Sequence, residues 1–409
     1  MKSTNPIPTR LWVGLLALVT AGQALAQDFT LQGGSDGSDG ALNVTEDTTI
    51  PLPADGILNY TTVTVAEGVT LRFTKNARNT PVFLLATGAI TVSGTIDVSG
   101  GLGSQFAAGV GGPGGFDGGR PGFGSDSPPG SGFGPGGGGG GTLSDANTAG
   151  AGAGAFGSRP VQQNTSSNQS AQHGLTYGNQ LLRPMIGGSG GGGAAGQPGL
   201  GGGGGGGAIL VASAVGITIN GVLRADGAAS ASPSAVDNGG SGGGIRLVAP
   251  IVGGTGTVSA FGGNNDGNDT GVNYAGGGRI RVDAFDLAGL NGITFSPLGN
   301  TTAGSSVFVF PNPRPSLDIV SAAGQAIAEG EQGPVRINLP FNSSTAQQVT
   351  LRARNFGGVV PVSVLVTPVH GNPTEFQGEI DNTSDNPAEV TLDVTIPTNV
   401  QVVLQAWTR

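Results

Sequence analysis

The chain has 409 residues and no cysteine, and glycine supplies 81 of them, about a fifth against a usual share of roughly 7%. No strict Gly-X-Y period runs through the glycine, which excludes collagen. The missing cysteine excludes a disulfide framework and a thiolate metal site. The 26 acidic residues against 17 basic ones argue against a nucleic-acid partner, which would need a basic surface.

Residues 1–26 read as a signal peptide. Lys2 and Arg10 form a basic start, Leu11 to Ala21 an apolar stretch short for a membrane span, and Ala24-Leu25-Ala26 a small-x-small cleavage site. Removing those two bases leaves 15 basic against 26 acidic residues, a net charge of −11. The expected location is secreted, extracellular or at the cell surface. No later run is long and apolar enough for a membrane helix, so no integral membrane segment is expected after signal cleavage. Residues 27–56 are polar and turn-rich and read as a flexible lead-in.

From Ile57 the apolar period becomes two, as in half-buried strands. A unit then recurs. Its first copy is Val82–Ala86 followed by Ile90, Val92, Gly94, Ile96, Val98 and Gly100. The second aligns Phe83 with Ile209 and Leu85 with Val211, with a one-residue gap near Gly88. Beyond the gap, Ile90, Val92 and Gly94 align with Ile217, Ile219 and Gly221. Further copies start at Ile245, with Gly256 in the turn, and at Ile280. Units of this size bury their apolar edge by stacking. The expectation for 57–311 is an all-β, right-handed parallel β-helix-like solenoid, with glycine supplying φ > 0 at the repeated corner. A β-sandwich of hairpins remains the alternative, because turn signals do not separate parallel from antiparallel pairing.

The long insertions all follow the closing glycine of a unit, which predicts that they emerge on one flank. The largest, 101–207, holds two glycine-rich blocks with Phe106, Phe116, Phe123, Phe133 and Phe156 in the first. Two readings stand: disordered linker, or extended threefold helices packed side by side, with the phenylalanines plugging the edges. Between the blocks lies an amide-rich centre. Arg159, Gln172, His173, Tyr177, Asn179 and Arg183 are its candidate ligand contacts, of the kind carbohydrate or peptide surfaces use.

Residues 312–315 form a Pro-rich linker. From Ser316 glycine thins, and apolar alternation at 335–339, 349–353, 362–366, 390–396 and 400–406 predicts a small immunoglobulin-like β-sandwich over 316–409.

The chemistry is sparse. The two histidines, His173 and His370, lie in different regions and offer no Ser-His-Asp triad, and no catalytic residue is assigned. Asp97 and Arg224 occupy matching positions of successive copies, placed to pair as a surface salt bridge, with Asp226 close by. Asn264, Asp266, Asn268 and Asp269 are the calcium candidates, oxygen ligands at short spacing around a glycine. No other cofactor is expected. A flat ice-binding face would need ranks of threonine, which the aligned repeats do not supply.

Through VFLLATGAITVSGTIDVSGG and GGGGAILVASAVGITINGVLRADG, the chain resembles bacterial secreted glycine-rich β-helical, adhesin-like surface proteins. Its glycine blocks are also similar to the polyglycine regions of phage tail-tip adhesins. The resemblance spans about 57–311 and implies an extracellular or surface role with no residue assigned. The expected function is an exported, non-enzymatic structural or adhesive protein of the cell surface or matrix. Its contact surface would be the glycine-rich flank, and its partners glycans or another surface protein. The alternative is a polysaccharide-binding or polysaccharide-degrading protein.

Overall fold

The computed structural model describes residues 34–123, 127–141, 151–160, 171–196, 199–230, 238–263, 275–311, 313–329, 331, 334–369 and 371–409. The signal peptide, His370 and the calcium candidates Asn264, Asp266, Asn268 and Asp269 lie outside the described residues.

The first part of the chain contributes β1 (Ala41–Val44), β2 (Thr48–Pro51), β3 (Ile57–Tyr60), β4 (Thr62–Val65), β5 (Thr70–Thr74) and β6 (Val82–Ala86). Next come β7 (Ile90–Val92), β8 (Thr95–Asp97), β9 (Ala208–Ser213), β10 (Ile217–Ile219) and β11 (Val222–Arg224). Then follow β12 (Gly244–Gly253), β13 (Thr257–Ser259), β14 (Arg279–Asp286), β15 (Thr294–Ser296) and β16 (Thr301–Gly304). Two short 3-10 turns, Ala288–Gly292 and Leu298–Asn300, are the only helical elements among the described residues. The stretch expected to be a flexible lead-in supplies β1 and β2, because Leu42, Val44 and Ile50 alternate with polar residues and meet the core.

All pairings among these strands are parallel, which removes the hairpin alternative. The predicted solenoid is corrected as well. One ten-stranded sheet runs β1-β4-β7-β10-β12-β9-β6-β3, with β14 and β16 attached, and a six-stranded parallel sheet, β15-β13-β11-β8-β5-β2, lies alongside. The eight-strand path is a near-closed barrel and not a column of separate coil faces. The cause is the length of β12. Its first half pairs with β9 (Gly244↔Ala208 to Val248↔Ala212) and its second half with β10 (Ile217↔Val252), so the two limbs join.

The core is aliphatic and layered. Val63, Ile90, Ile217 and Val252 are in register along one ladder, and Leu71, Ile96, Leu223 and Val258 along another, all fully or almost fully buried. Each such side chain contributes about 1.5–3 kcal/mol on burial. The corner glycines Gly94, Gly221 and Gly256 do not adopt positive φ, contrary to expectation. They are required because a Cβ at Gly221 would collide with the Gly94 carbonyl oxygen, and one at Gly256 with that of Gly221. The demand is close backbone approach.

A second apolar layer covers the outside of β6, β9 and β12. Leu85, Leu210, Ala212 and Val248 pack beneath Val309 of the 305–311 segment, with Phe83 edge-on to Phe310 at 4.9 Å. The first copies therefore align differently from expectation. Val82, not Phe83, stands opposite Ile209, and one offset of 127 residues carries Val82↔Ile209, Ile90↔Ile217 and Asp97↔Arg224 with no gap.

The remaining strands are β17 (Ser316–Ala322), β18 (Gln325–Ala326), β19 (Ala346–Arg354), β20 (Val359–Pro368), β21 (Thr374–Asp381), β22 (Ala388–Thr395) and β23 (Val402–Thr408). They form two antiparallel sheets, β18-β17-β19-β22 and β21-β20-β23, around Val349, Leu351, Val362, Val364, Val366 and Ile380. The immunoglobulin-like label is corrected by this order. In that fold the first, second, fifth and fourth strands share a sheet, whereas here the first, second, third and sixth do. Residues 335–339 form no strand, although Ile337 and Leu339 still pack on the core. Ser131 Oγ donates to the Gly371 carbonyl at 2.8 Å, and Arg78 Nη2 donates to the Glu331 carbonyl at 3.3 Å, so this part touches the first.

Candidate contact surface on the glycine-rich flank

Among the described residues, the glycine segments are threefold extended helices packed side by side, the second of the two readings. The central one, 201–207, shows the rule. Gly201, Gly204 and Gly207 N–H groups donate to Ser104, Gly101 and Val98 carbonyls at 2.7, 3.0 and 2.8 Å. Gly202 and Gly205 donate to Gly119 and Phe116, and Gly203 and Gly206 to Asn238 and Ser241. Every third donor returns to the same neighbour, as a helix with three residues per turn requires. Its carbonyls accept from three further segments, at Gly109 and Gly112, Gly188 and Gly191, and Ala228. No side chain fits inside such a lattice: a Cβ at Gly206 would meet the Ala225 carbonyl oxygen, and one at Gly203 that of Ala228. The later insertions join the same bundle, for Gly242 donates to Gly276 at 3.0 Å. The insertions thus share one flank.

The phenylalanines divide. Phe156 is fully buried and packs on Tyr177 at 4.7 Å, so it does plug the bundle. Phe106 is 91% exposed. It rides a hairpin closed by Gly101 N–H to the Val110 carbonyl at 2.7 Å, with its tip fixed by Ser104 Oγ, which accepts from Phe106 and Ala107 N–H groups. Leu102 and Val110 stand out from the same hairpin, and Phe123 is exposed beyond it. Apolar side chains grouped on a surface this way mark contact sites more often than isolated ones do.

The six candidate contacts of the amide-rich centre do not converge on one opening. Tyr177 Oη donates to the Gly187 carbonyl at 2.5 Å and accepts from Ser189 Oγ at 2.9 Å, and burial pushes its phenol well up from the ordinary value. His173 Nδ1 accepts from Ala153 N–H at 3.0 Å, inside the bundle's edge. Asn179 holds the 181–183 turn. Arg183 stacks on Phe308 at 5.1 Å and donates to Ser306. Arg159 and Gln172 are exposed.

Two charged clusters lie elsewhere. On the outer face of the six-stranded sheet, Arg224 Nη2 meets Asp97 Oδ2 at 2.8 Å, with Arg72 at 3.6 Å on its other side. Burial alone would raise the Asp97 carboxyl, but hydrogen bonds from Arg224 and Ser99 outweigh it and hold the carboxyl below its ordinary value. Asp226, two residues beyond Arg224, accepts from Ser259 Oγ and Phe261 N–H, yet burial pushes it up. Beneath the 305–311 segment, Asp283 is gripped by Arg246 and Arg281 at 2.8 and 2.7 Å with almost no exposure. Arg246 also donates to the Phe308 carbonyl, which pins that segment. Arg246 is the one charged residue in β12, and the alternating charges of β14 resemble a solvated face, so neither strand's own sequence signals this buried cluster of three.

Among the described residues, no group of three or more His, Cys, Asp or Glu is gathered as metal ligands, and no helix is long and apolar enough to cross a membrane. Comparison with family models, with curated proteins and with solved structures finds no match to this chain.

Proposed function

We propose that this is an exported, non-enzymatic structural or adhesive protein of a cell surface or matrix. It makes contact through the glycine-rich flank with glycans or another surface protein. One observation carries the reading: the 101–110 hairpin holds Leu102, Phe106 and Val110 out to solvent on a backbone lattice bonded on all sides. A lattice of that kind has little conformational freedom left to lose on binding. The test is a glycan array and whole-cell binding with the wild type and with Phe106→Ser plus Phe123→Ser. The variant should lose binding while its melting temperature stays unchanged. Equal binding by both proteins would overturn the assignment.

A second reading is favoured by a different pair of groups. Asp97 and Asp226 are diagonal neighbours on one sheet face, and their surroundings move their proton affinities in opposite directions. Paired carboxyls of unlike affinity are the equipment of polysaccharide hydrolysis. Release of reducing ends from polysaccharide by the wild type, abolished in Asp226→Asn, would replace the first reading with this one.

A further inference from the structure

The second face of interest is the outer side of the wall formed by β1, β4, β7, β10 and the end of β12. Parallel register puts Asn43, Thr64, Thr91, Thr218 and Gly253 into a single rank across the five strands. Thr91 and Thr218 are 127 residues apart in sequence, and pairing with β4 adds Thr64, a rank that the aligned repeats alone do not supply. Their inward neighbours Val65, Val92 and Ile219 are buried, which turns the three hydroxyl-and-methyl groups outward. Successive groups are one strand spacing apart, about 4.8 Å. Threonine is stiff at χ1, so the array is largely pre-ordered.

The ground around this rank is uncharged and mostly small. Along the preceding rank Ala41 and Thr62 pair directly, Ala89 and Gly216 continue the row, and it ends at Ile251, an exposed aliphatic side chain at the edge of the wall. The chain carries 17 basic and 26 acidic residues, yet neither rank contains one. Neither contains an aromatic ring of the kind that sugars stack on. A neutral surface that offers a hydroxyl and a methyl at three successive regular steps complements a neutral lattice with nearly the same repeat. The oxygen spacing along one axis of the ice surface is such a repeat, with hydroxyls replacing lattice water hydrogen bonds and methyls seated over its hollows.

We propose that this wall binds ice, a function separate from the contact assigned to the glycine-rich flank. The six-stranded sheet supplies an internal comparison. Thr70, Thr95, Thr257 and Thr294 share a rank there too, but Val222 interrupts it between Thr95 and Thr257, and the adjoining rank holds Arg72, Asp97 and Arg224, whose charges order water about themselves.

The test uses the full chain in thermal hysteresis and ice-crystal shaping measurements. The wild type should shape ice and hold a hysteresis gap. Thr64→Lys plus Thr218→Lys should abolish both with an unchanged melting curve, and Thr294→Lys should retain them. Should the lysine pair fail to fold, Thr64→Ser plus Thr218→Ser, which removes only the methyls, should still narrow the gap. No hysteresis or shaping by the wild type would overturn the proposal, as would full activity in a folded lysine or serine pair. Threonine-dependent binding to a crystalline polysaccharide in place of ice would also overturn it. Phe106→Ser plus Phe123→Ser should leave ice activity intact, so failure of either proposal is distinguishable from failure of the other.

Discussion

Arg224 and Asp97 stand directly opposite each other on β11 and β8, 127 residues apart in the chain, with Nη2 and Oδ2 2.8 Å apart. The pair is half open to water on the arginine side, so it contributes under about 1 kcal/mol, as exposed pairs do. Its interest lies in the neighbouring carboxyl, Asp226, whose proton affinity moves the other way.

Those two shifts predict opposite pH behaviour. Asp97 is depressed in the folded chain, so its contribution is present above the unfolded value of about 3.9 and is lost as pH falls through the folded one. Asp226 is raised, so its contribution is present below that unfolded value and is lost as pH rises through the folded one. Asp97→Asn should therefore destabilise at neutral pH, with the difference from wild type closing in acid. Asp226→Asn, whose amide oxygen still accepts from Ser259 and Phe261, should gain on the wild type as pH rises from about 4 to 7. Melting temperatures across that range check both.

Asp283→Ala should be far more costly than either. It strands Arg246 and Arg281 without their carboxylate in an almost fully buried site, a loss of about 3–5 kcal/mol. It should also loosen the 305–311 segment, because Arg246 anchors the Phe308 carbonyl. Chemical denaturation measures the first effect, and amide exchange at 307–310 the second.

Gly206→Ala should unfold or grossly destabilise the bundle. The added methyl meets backbone oxygen, which cannot rotate away as a side chain does, so the cost is at or above the upper end of the about 1–3 kcal/mol range for overpacking. Gly299→Ala, where a Cβ meets nothing within 4 Å, should be close to neutral. Circular dichroism and thermal melting of the two variants form the comparison.

Tyr177→Phe removes the donor to the Gly187 carbonyl and the acceptor for Ser189 Oγ while keeping the ring against Phe156. A loss of about 1–3 kcal/mol is expected from the polar groups left behind. Proteolysis within the glycine-rich flank should quicken with little change in the antiparallel part.

Some of this was legible in the chain. The alternation of Ile90, Val92 and Ile96 with threonine and aspartate specifies short strands with one apolar face, and the same spacing around Gly221 specifies that two such units lie together. The shared flank for the insertions followed from their common position after a closing glycine. The run Val82–Ala86 was different: it is apolar on both faces, so its period could not say which side turns inward. Only the 305–311 segment, which arrives from more than 200 residues away to bury Phe83 and Leu85, settles that.

The glycine blocks were undecidable locally for a related reason. A threefold helix makes no hydrogen bond within itself, so nothing in its own sequence distinguishes it from a linker. Its order comes from partners on other segments, as Gly206 finds in Ser241 and Gly188. The joining of the two limbs through β12 and the rank of Thr64, Thr91 and Thr218 have the same origin. Composition and period determined that the chain builds strands and glycine-rich crossings. Which strand pairs with which, and which side chains then share a face, was decided by contacts between distant segments, where parallel register and close backbone packing act only after the chain has folded.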